Sequence, residues 1–162
     1  GDILAGAYRW RPPGPNCQLV IAYQGAVAEE AIRAAGQIAE YRRDVAVLAI
    51  TSADRLHADL TETLQRRRDG DTVLSHVEAM LSQVPQDLKL LTVIDGHPAT
   101  LSWLGGVCGH PTLAQGVDHF GQTGTVNDLY QHYGLDTASL VETALAMTPG
   151  RQPFTAFQRV AS

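Results

Sequence analysis

The stretch QLVIAYQG, residues 18 to 25, decides the fold of this chain. It is a short apolar run with branched and aromatic residues that stops at a glycine, which is typical of a strand buried on both faces of a sheet. In the segment that follows, apolar residues recur at helical spacing: Val27, Ala31, Ala35 and Ile38. A buried strand followed by an amphipathic helix is the unit from which parallel α/β sheets are built.

The same strand-and-helix unit recurs along the chain. VAVLAI (45–50) and LKLLTVID (88–95) are predicted as buried strands, TLAQGVD (112–118) as a weaker one, and ILAGAYRW (3–10) as an edge strand. We therefore predict a single domain over residues 1–162 with three α/β/α layers around a mostly parallel five-stranded sheet, whose three central strands are all parallel. The tail from Pro149 contains FTAFQRV, which is predicted as a short strand or an ordered extension.

The helix after the second strand has two features that can be compared with the structure. Leu56, Leu60 and Leu64 form its predicted apolar stripe. Three arginines, residues 66–68, close the helix. Such side chains complement the carboxyl end of a helix and usually stay solvated. Docking of an acidic partner is the alternative for this basic run.

The composition narrows the class of protein. The chain has 162 residues, 44% of them hydrophobic and 18% charged, and a net charge of -5, which argues against a nucleic-acid binder. No apolar run approaches the roughly 18 residues of a membrane span. Cys17 and Cys108 are far apart and are expected to be free thiols in a reducing cytoplasm. Because the chain begins with Gly1 and not with Met, we expect either a processed protein or a piece of a longer one, and we favour the piece.

The candidate chemistry lies in two loops that follow predicted strands. One loop contains Asp95 and His97, and the other contains Asp118 and His119. In parallel sheets such loops gather at the carboxyl edge, where ligands bind. A histidine there suits proton transfer. The set would hold zinc or iron if the loops met, although no HxxH-like spacing supports a metal site. Hydrogen bonding within the loops is the third alternative.

The second of these loops, GVDHFGQTGT (116–125), is rich in glycine and precedes a helix. Neither GxGxxG nor GxxxxGK followed by Ser or Thr occurs in the chain, so no nucleotide fingerprint is present. We expect Gly121 and Gly124 to form a turn and Thr125 to cap the helix. Backbone amides at the helix start would alternatively hold an anion. That alternative corresponds to an independent flavodoxin-like module that binds a small anion or a nucleotide.

The order of several segments resembles a known family. DILAGAYRW, LVIAYQG, VLAITSADRLHADL and LLTVIDGHPATLSWLGG precede GVDHFGQTGT and LYQHYGLD. Together they resemble the C-terminal domain of the transketolase superfamily, most closely that of the single-chain 2-oxo acid dehydrogenase decarboxylating components of the pyruvate dehydrogenase kind. The loop at 116–125 is similar to the family's Gly-x-Asp-x-Phe-Gly-x-Ser motif and departs from it at Thr123, where Ser is common. The sequence DGHP also departs from many relatives, which lack a histidine there.

The resemblance implies a parent enzyme, an oxidoreductase or a transferase, that uses thiamine diphosphate and magnesium. Two other domains would bind both cofactors, because the family's Gly-Asp-Gly and Asn-Asn cation motif is absent here. This domain would then hold no cofactor or metal and would be inactive alone. It would support dimerisation and border the active-site channel, with His97, Asp118 and His119 as candidate channel-edge residues.

The resemblance also implies three classes of partner. These are the thiamine-binding domains, a second subunit of a homodimer and the acyltransferase component of a multienzyme complex. Neither a nucleic acid nor a membrane is expected to bind. The substrate of the parent stays open between pyruvate, a branched 2-oxo acid and a sugar phosphate.

Overall fold

A five-stranded sheet forms the centre of the domain. The computed structural model describes residues 1–41, 44–119, 121 and 123–148, so the tail segment FTAFQRV lies outside the described residues. The strands are β1 (Ala7–Arg11), β2 (Leu19–Gln24), β3 (Val45–Ile50), β4 (Lys89–Ile94) and β5 (Thr112–Gln115). Their order is β1-β3-β2-β4-β5, and only the β1–β3 pair is antiparallel. The predicted mostly parallel sheet, with its three parallel central strands, is confirmed.

Helices cover both faces of this sheet, which confirms the three-layer prediction. The helices are α1 (Asp2–Ala5), α2 (Ala28–Tyr41), α3 (Ala53–Arg68), α4 (His76–Leu81), α5 (Ala99–Ser102), α6 (Leu104–Cys108), α7 (Val126–Tyr133) and α8 (Thr137–Met147). Helices α3 to α6 pack apolar residues against one face, and α2, α7 and α8 pack theirs against the other. None of the described helices is both long and apolar enough to cross a membrane.

Strand β2 shows why its sequence is apolar without alternation. Val20 and Ala22 face the core beneath α3 to α6, whereas Ile21 and Tyr23 face the core beneath α2 and α8. All four residues are at most 7% exposed. A central strand covered on both faces buries every side chain, so it reads as a continuous apolar run.

The predicted edge strand at residues 3–10 is partly wrong. Its first half forms the one-turn helix α1, and the strand begins only at Ala7. Between them Gly6 has a φ of 109°, and a Cβ there would lie 2.9 Å from the backbone oxygen of Ser52. Gly6 therefore turns the chain sharply where it passes the start of α3, because an L side chain would be strained and crowded at this position.

The predicted apolar stripe of α3 is also partly wrong. Leu56 is fully buried, Leu60 is half-buried, and Leu64 is 45% exposed, whereas Thr63 is buried. Each step of four residues advances about 40° beyond a full turn of the helix. Two such steps carry Leu64 away from the sheet, and a step of seven residues from Leu56 brings Thr63 back to it.

The prediction that the arginine run at the end of α3 stays solvated is wrong for Arg67. Arg67 donates two hydrogen bonds to the carboxylate of Glu78, at 2.8 and 2.7 Å, and two more to the backbone oxygen of Val73. Glu78 also accepts from the backbone amide of Ser75 and completes the capping box of α4. The bidentate pair thus joins the end of α3 to the start of α4.

We expect Glu78→Gln to lower the melting temperature at pH 7 and to have a smaller effect in acid. The hydrogen bonds from Arg67 hold the pKa of Glu78 below its ordinary value of 4.5. A carboxyl group whose pKa is lower in the folded state than in the unfolded state stabilises the protein above the unfolded-state pKa. This contribution is lost as the pH falls from that value through the folded-state pKa. Thermal unfolding of both proteins from pH 7 to pH 3 measures the difference. Glu62→Gln, at an exposed position of α3, is the control, and an equal shift at every pH would contradict the prediction.

Candidate functional site

The two candidate loops meet at the carboxyl edge of the sheet because a glycine lets their backbones touch. The amide of Val117 donates a 2.8 Å hydrogen bond to the backbone oxygen of Gly96. A Cβ at Gly116 would lie 2.5 Å from that same oxygen and 2.9 Å from the nitrogen of Pro98. Only glycine fits at position 116, so this residue joins the loop after β4 to the loop after β5.

Asp118 and His119 form an exposed pair in the second loop. Asp118 Oδ1 lies 2.6 Å from His119 Nδ1, and the two side chains are 55% and 82% exposed, respectively. The hydrogen bond from His119 is the main reason why the pKa of Asp118 lies below its ordinary value. When protonated, His119 and His97 lower this pKa further, because their positive charge favours the ionised carboxylate.

Helix α7 supports this loop through a residue that the sequence analysis did not single out. The hydroxyl of Tyr133 donates to the backbone oxygen of His119. The ring of His132 stands edge-on to that of Tyr133, with centroids 4.9 Å apart. Both side chains line a cleft of about 560 Å³ together with Asp118 and His119. The available signal was a phenol at the end of an amphipathic helix, but nothing in the sequence shows which loop that hydroxyl reaches.

His97 and Asp95 lie in the first loop and have other partners. His97 Nδ1 accepts a 3.1 Å hydrogen bond from the amide of Ala99 at the start of α5. A carboxylate oxygen of Asp95 accepts a 3.2 Å bond from the amide of Ala26, in the turn after β2. The structure therefore brings His97 near the Asp118–His119 pair but directs Asp95 to the neighbouring turn.

The start of α7 satisfies its own backbone amides. Thr125 Oγ1 accepts from the amide of Asp128, and the Asp128 carboxylate accepts from the amide of Thr125, both at 3.2 Å. The predicted Thr125 cap is thereby confirmed. Because the carboxylate of Asp128 already places negative charge at this helix end, a second anion there would be repelled.

The metal alternative finds no donor set in the described ranges. Within residues 1–41, 44–119, 121 and 123–148, no group of three His, Cys, Asp or Glu side chains is arranged to hold a metal ion. Cys17 and Cys108 are free thiols, as predicted, with Cys17 buried and Cys108 half-buried. What the site offers chemically is proton transfer and hydrogen bonding.

Comparison with known proteins gives a consistent result. Residues 6–136 match the family model described as transketolase-like TK C-terminal domain. A plasmid-borne transketolase of Cupriavidus necator is 31% identical over 144 residues, which cover 88% of this chain and 18% of that protein. The solved transketolase of Leishmania mexicana superposes with a TM-score of 0.63 at 20% identity, covering 97% of this chain and 20% of its own.

A second solved structure has the same fold. The transketolase of Campylobacter jejuni superposes with a TM-score of 0.63 at 16% identity, covering 90% of this chain and 19% of its own. At these identities the two structures show a shared fold alone. The chain spans about a fifth of the length of each of the three transketolases described here.

Proposed function

This chain belongs to the family of transketolase-like TK C-terminal domains, and we propose that it is the C-terminal accessory domain of a longer, thiamine diphosphate-dependent transketolase. The observation that carries the proposal is the family match over residues 6–136, together with 31% identity to a plasmid-borne transketolase. In this proposal the parent enzyme is a transferase. The domain supports its dimerisation and borders its active-site channel, and the isolated chain is not catalytic in that reaction.

The channel-edge role is assigned to the carboxyl edge of the sheet. His97, Asp118 and His119 gather there, in loops joined by the bond from Val117 to Gly96. The side chains of Asp118 and His119 are exposed and form a hydrogen bond with each other. Exposed polar side chains on loops that rigid strands position are typical of functional sites.

A 2-oxo acid dehydrogenase component of the pyruvate dehydrogenase kind is the second candidate for the parent. The loop GVDHFGQTGT favours it, because this loop resembles that family's Gly-x-Asp-x-Phe-Gly-x-Ser motif. The acyltransferase of a multienzyme complex would then be a further partner of the domain. The substrate that the parent accepts separates the two candidates.

An independent flavodoxin-like module that binds an anion is disfavoured by two carboxylates. Such modules bind phosphates on backbone amides at the carboxyl edge of the sheet. Here the carboxylate of Asp95 accepts a hydrogen bond from the amide of Ala26, and the carboxylate of Asp128 accepts one from the amide of Thr125. Both of these amides are satisfied by the protein's own carboxylates, whose negative charge would repel a phosphate.

We expect the isolated chain not to bind thiamine diphosphate with magnesium. Its described residues offer no cluster of carboxylates for the cation, and its sequence has no Gly-Asp-Gly and Asn-Asn pair. In the proposal both cofactors are held by the other domains of the parent. Calorimetric titration of the chain with thiamine diphosphate and magnesium measures this binding, and the parent protein is the positive control. Micromolar binding by the isolated chain would contradict the proposal.

A further inference from the structure

The two histidines at the carboxyl edge differ in which ring nitrogen carries the proton. His97 Nδ1 accepts from the amide of Ala99, so its neutral ring carries the proton on Nε2 and presents a donor to solvent. His119 Nδ1 lies 2.6 Å from a carboxylate oxygen of Asp118. Because an ionised carboxylate can only accept, the neutral ring of His119 carries its proton on Nδ1 and leaves Nε2 as an acceptor.

We propose that His119 is a proton acceptor for a small ligand that carries a hydroxyl group, and that Asp118 is its positioning residue. The pair has the arrangement in which a carboxylate orients an imidazole and stabilises its charged form. The use of this pair on a substrate rests on the proposed function. The pair itself can be studied without the parent enzyme, because both residues lie in this chain.

The surroundings of His119 leave its Nε2 atom accessible to a ligand. The side chain is 82% exposed and lines the cleft of about 560 Å³, so a small ligand can reach it. Its backbone is held from one side by the hydroxyl of Tyr133. From the other side, the bond from Val117 to Gly96 holds the loop. A fixed backbone and a fixed tautomer are the conditions for a positioned base.

The proton step is balanced without any further reactant. The ligand hydroxyl gives its proton to His119 Nε2, and the oxygen keeps the electron pair of the O–H bond. The resulting imidazolium is stabilised by the carboxylate of Asp118 and returns the proton to the ligand oxygen before the ligand leaves.

The tautomers can be measured directly on the 162-residue chain. Long-range ¹H–¹⁵N spectra above pH 8 should show protonated Nδ1 for His119 and protonated Nε2 for His97. Asp118→Asn should abolish the preference of His119 and leave that of His97 unchanged. The same tautomer for both histidines, or an unchanged His119 in the variant, would overturn the proposal. A role for Asp118 in folding alone would not move these signals.

The basicity of Nε2 can be tested with p-nitrophenyl acetate. His119 Nε2 attacks the acetyl carbon, and p-nitrophenolate leaves with the electron pair of the broken C–O bond. Water then hydrolyses the acetylimidazolium to acetate and neutral imidazole, and two protons pass to the buffer. His119→Ala should remove most of the chain's rate above buffer, and Asp118→Asn should lower it several-fold. His57→Ala is the matched control, because His57 is an exposed histidine with no carboxylate partner among the described residues.

The outcomes separate this inference from the proposed function. Equal losses in His119→Ala and His57→Ala would overturn the inference, since any exposed histidine would then suffice. The assay needs neither cofactor nor parent protein, so its result does not depend on whether the parent has transketolase activity. In an active parent enzyme, His119→Ala should lower kcat by about 10- to 100-fold, near the lower end of acid–base contributions. An unchanged kcat there would remove the role on the substrate.

Discussion

Gly116→Ala is expected to lower the free energy of unfolding by about 3 kcal/mol, at the upper end of overpacking effects. The added methyl group would lie 2.5 Å from the backbone oxygen of Gly96 and 2.9 Å from the nitrogen of Pro98. Neither atom belongs to a side chain that can rotate away, so relief requires the two loops to separate. The variant therefore tests stability and the geometry of the candidate site together.

Urea unfolding of the variant and the unchanged chain measures this difference. Gly36→Ala is the matched control, because Gly36 lies inside α2 and a Cβ there meets nothing within 4 Å. Alanine in a helix interior should stabilise that variant by up to about 1 kcal/mol. If Gly116→Ala were as stable as the unchanged chain, the close approach of the two loops would be wrong.

Leu56→Ala is expected to cost about 2 to 5 kcal/mol, the range for a buried leucine. Leu56 is fully buried in the core between α3 and the sheet, so its truncation leaves a cavity. The same substitution at Leu64, on the same helix, should cost no more than about 1 kcal/mol because that side chain is 45% exposed.

The comparison of these two leucine variants is made by chemical denaturation under identical conditions. Helix propensity changes equally in both, so the difference reports burial alone. Equal losses would restore the stripe predicted from the sequence and contradict the observed orientation of α3. Loss of folding in Leu56→Ala would agree with the prediction, and Leu56→Val then supplies a measurable intermediate.

The sheet could be predicted from the sequence because each central strand is a continuous apolar run. VAVLAI became β3 with the predicted bounds, and every one of its residues is buried. Helix starts with a local signal were also predictable, as at Thr125, where the cap and its partner Asp128 are three residues apart. The cap depends on two residues that are close in the sequence, and the strand depends on an apolar side chain at every position.

The error at Leu64 concerned helical periodicity, because two steps of four residues turn that side chain away from the sheet. The other errors arose where a distant contact decided the structure. The chain turns at Gly6 because it passes the backbone of Ser52. Arg67 is held by Glu78, eleven residues further along the chain. No local pattern in the sequence contains these distances.

The sequence predicted which edge of the sheet carries the candidate residues, but it did not predict which side chains and backbone groups contact one another there. Parallel topology put His97, Asp118 and His119 at one edge of the sheet. Asp95 could not be separated from them, because its partner is the amide of Ala26, 69 residues away. Tyr133 was missed for the same reason, since its hydroxyl reaches the backbone of His119 across 14 residues.

The most direct test of the account is an activity measurement on the proposed parent enzyme, of which this chain would be the C-terminal domain. With thiamine diphosphate and magnesium, we expect it to transfer a ketol group from a ketose phosphate to an aldose phosphate. Removal of residues 1–162 from that protein should reduce the transfer and weaken its dimer. Decarboxylation of pyruvate or of a branched 2-oxo acid without ketol transfer would contradict the transketolase assignment, and full activity of the truncated dimer would contradict the accessory role of this domain.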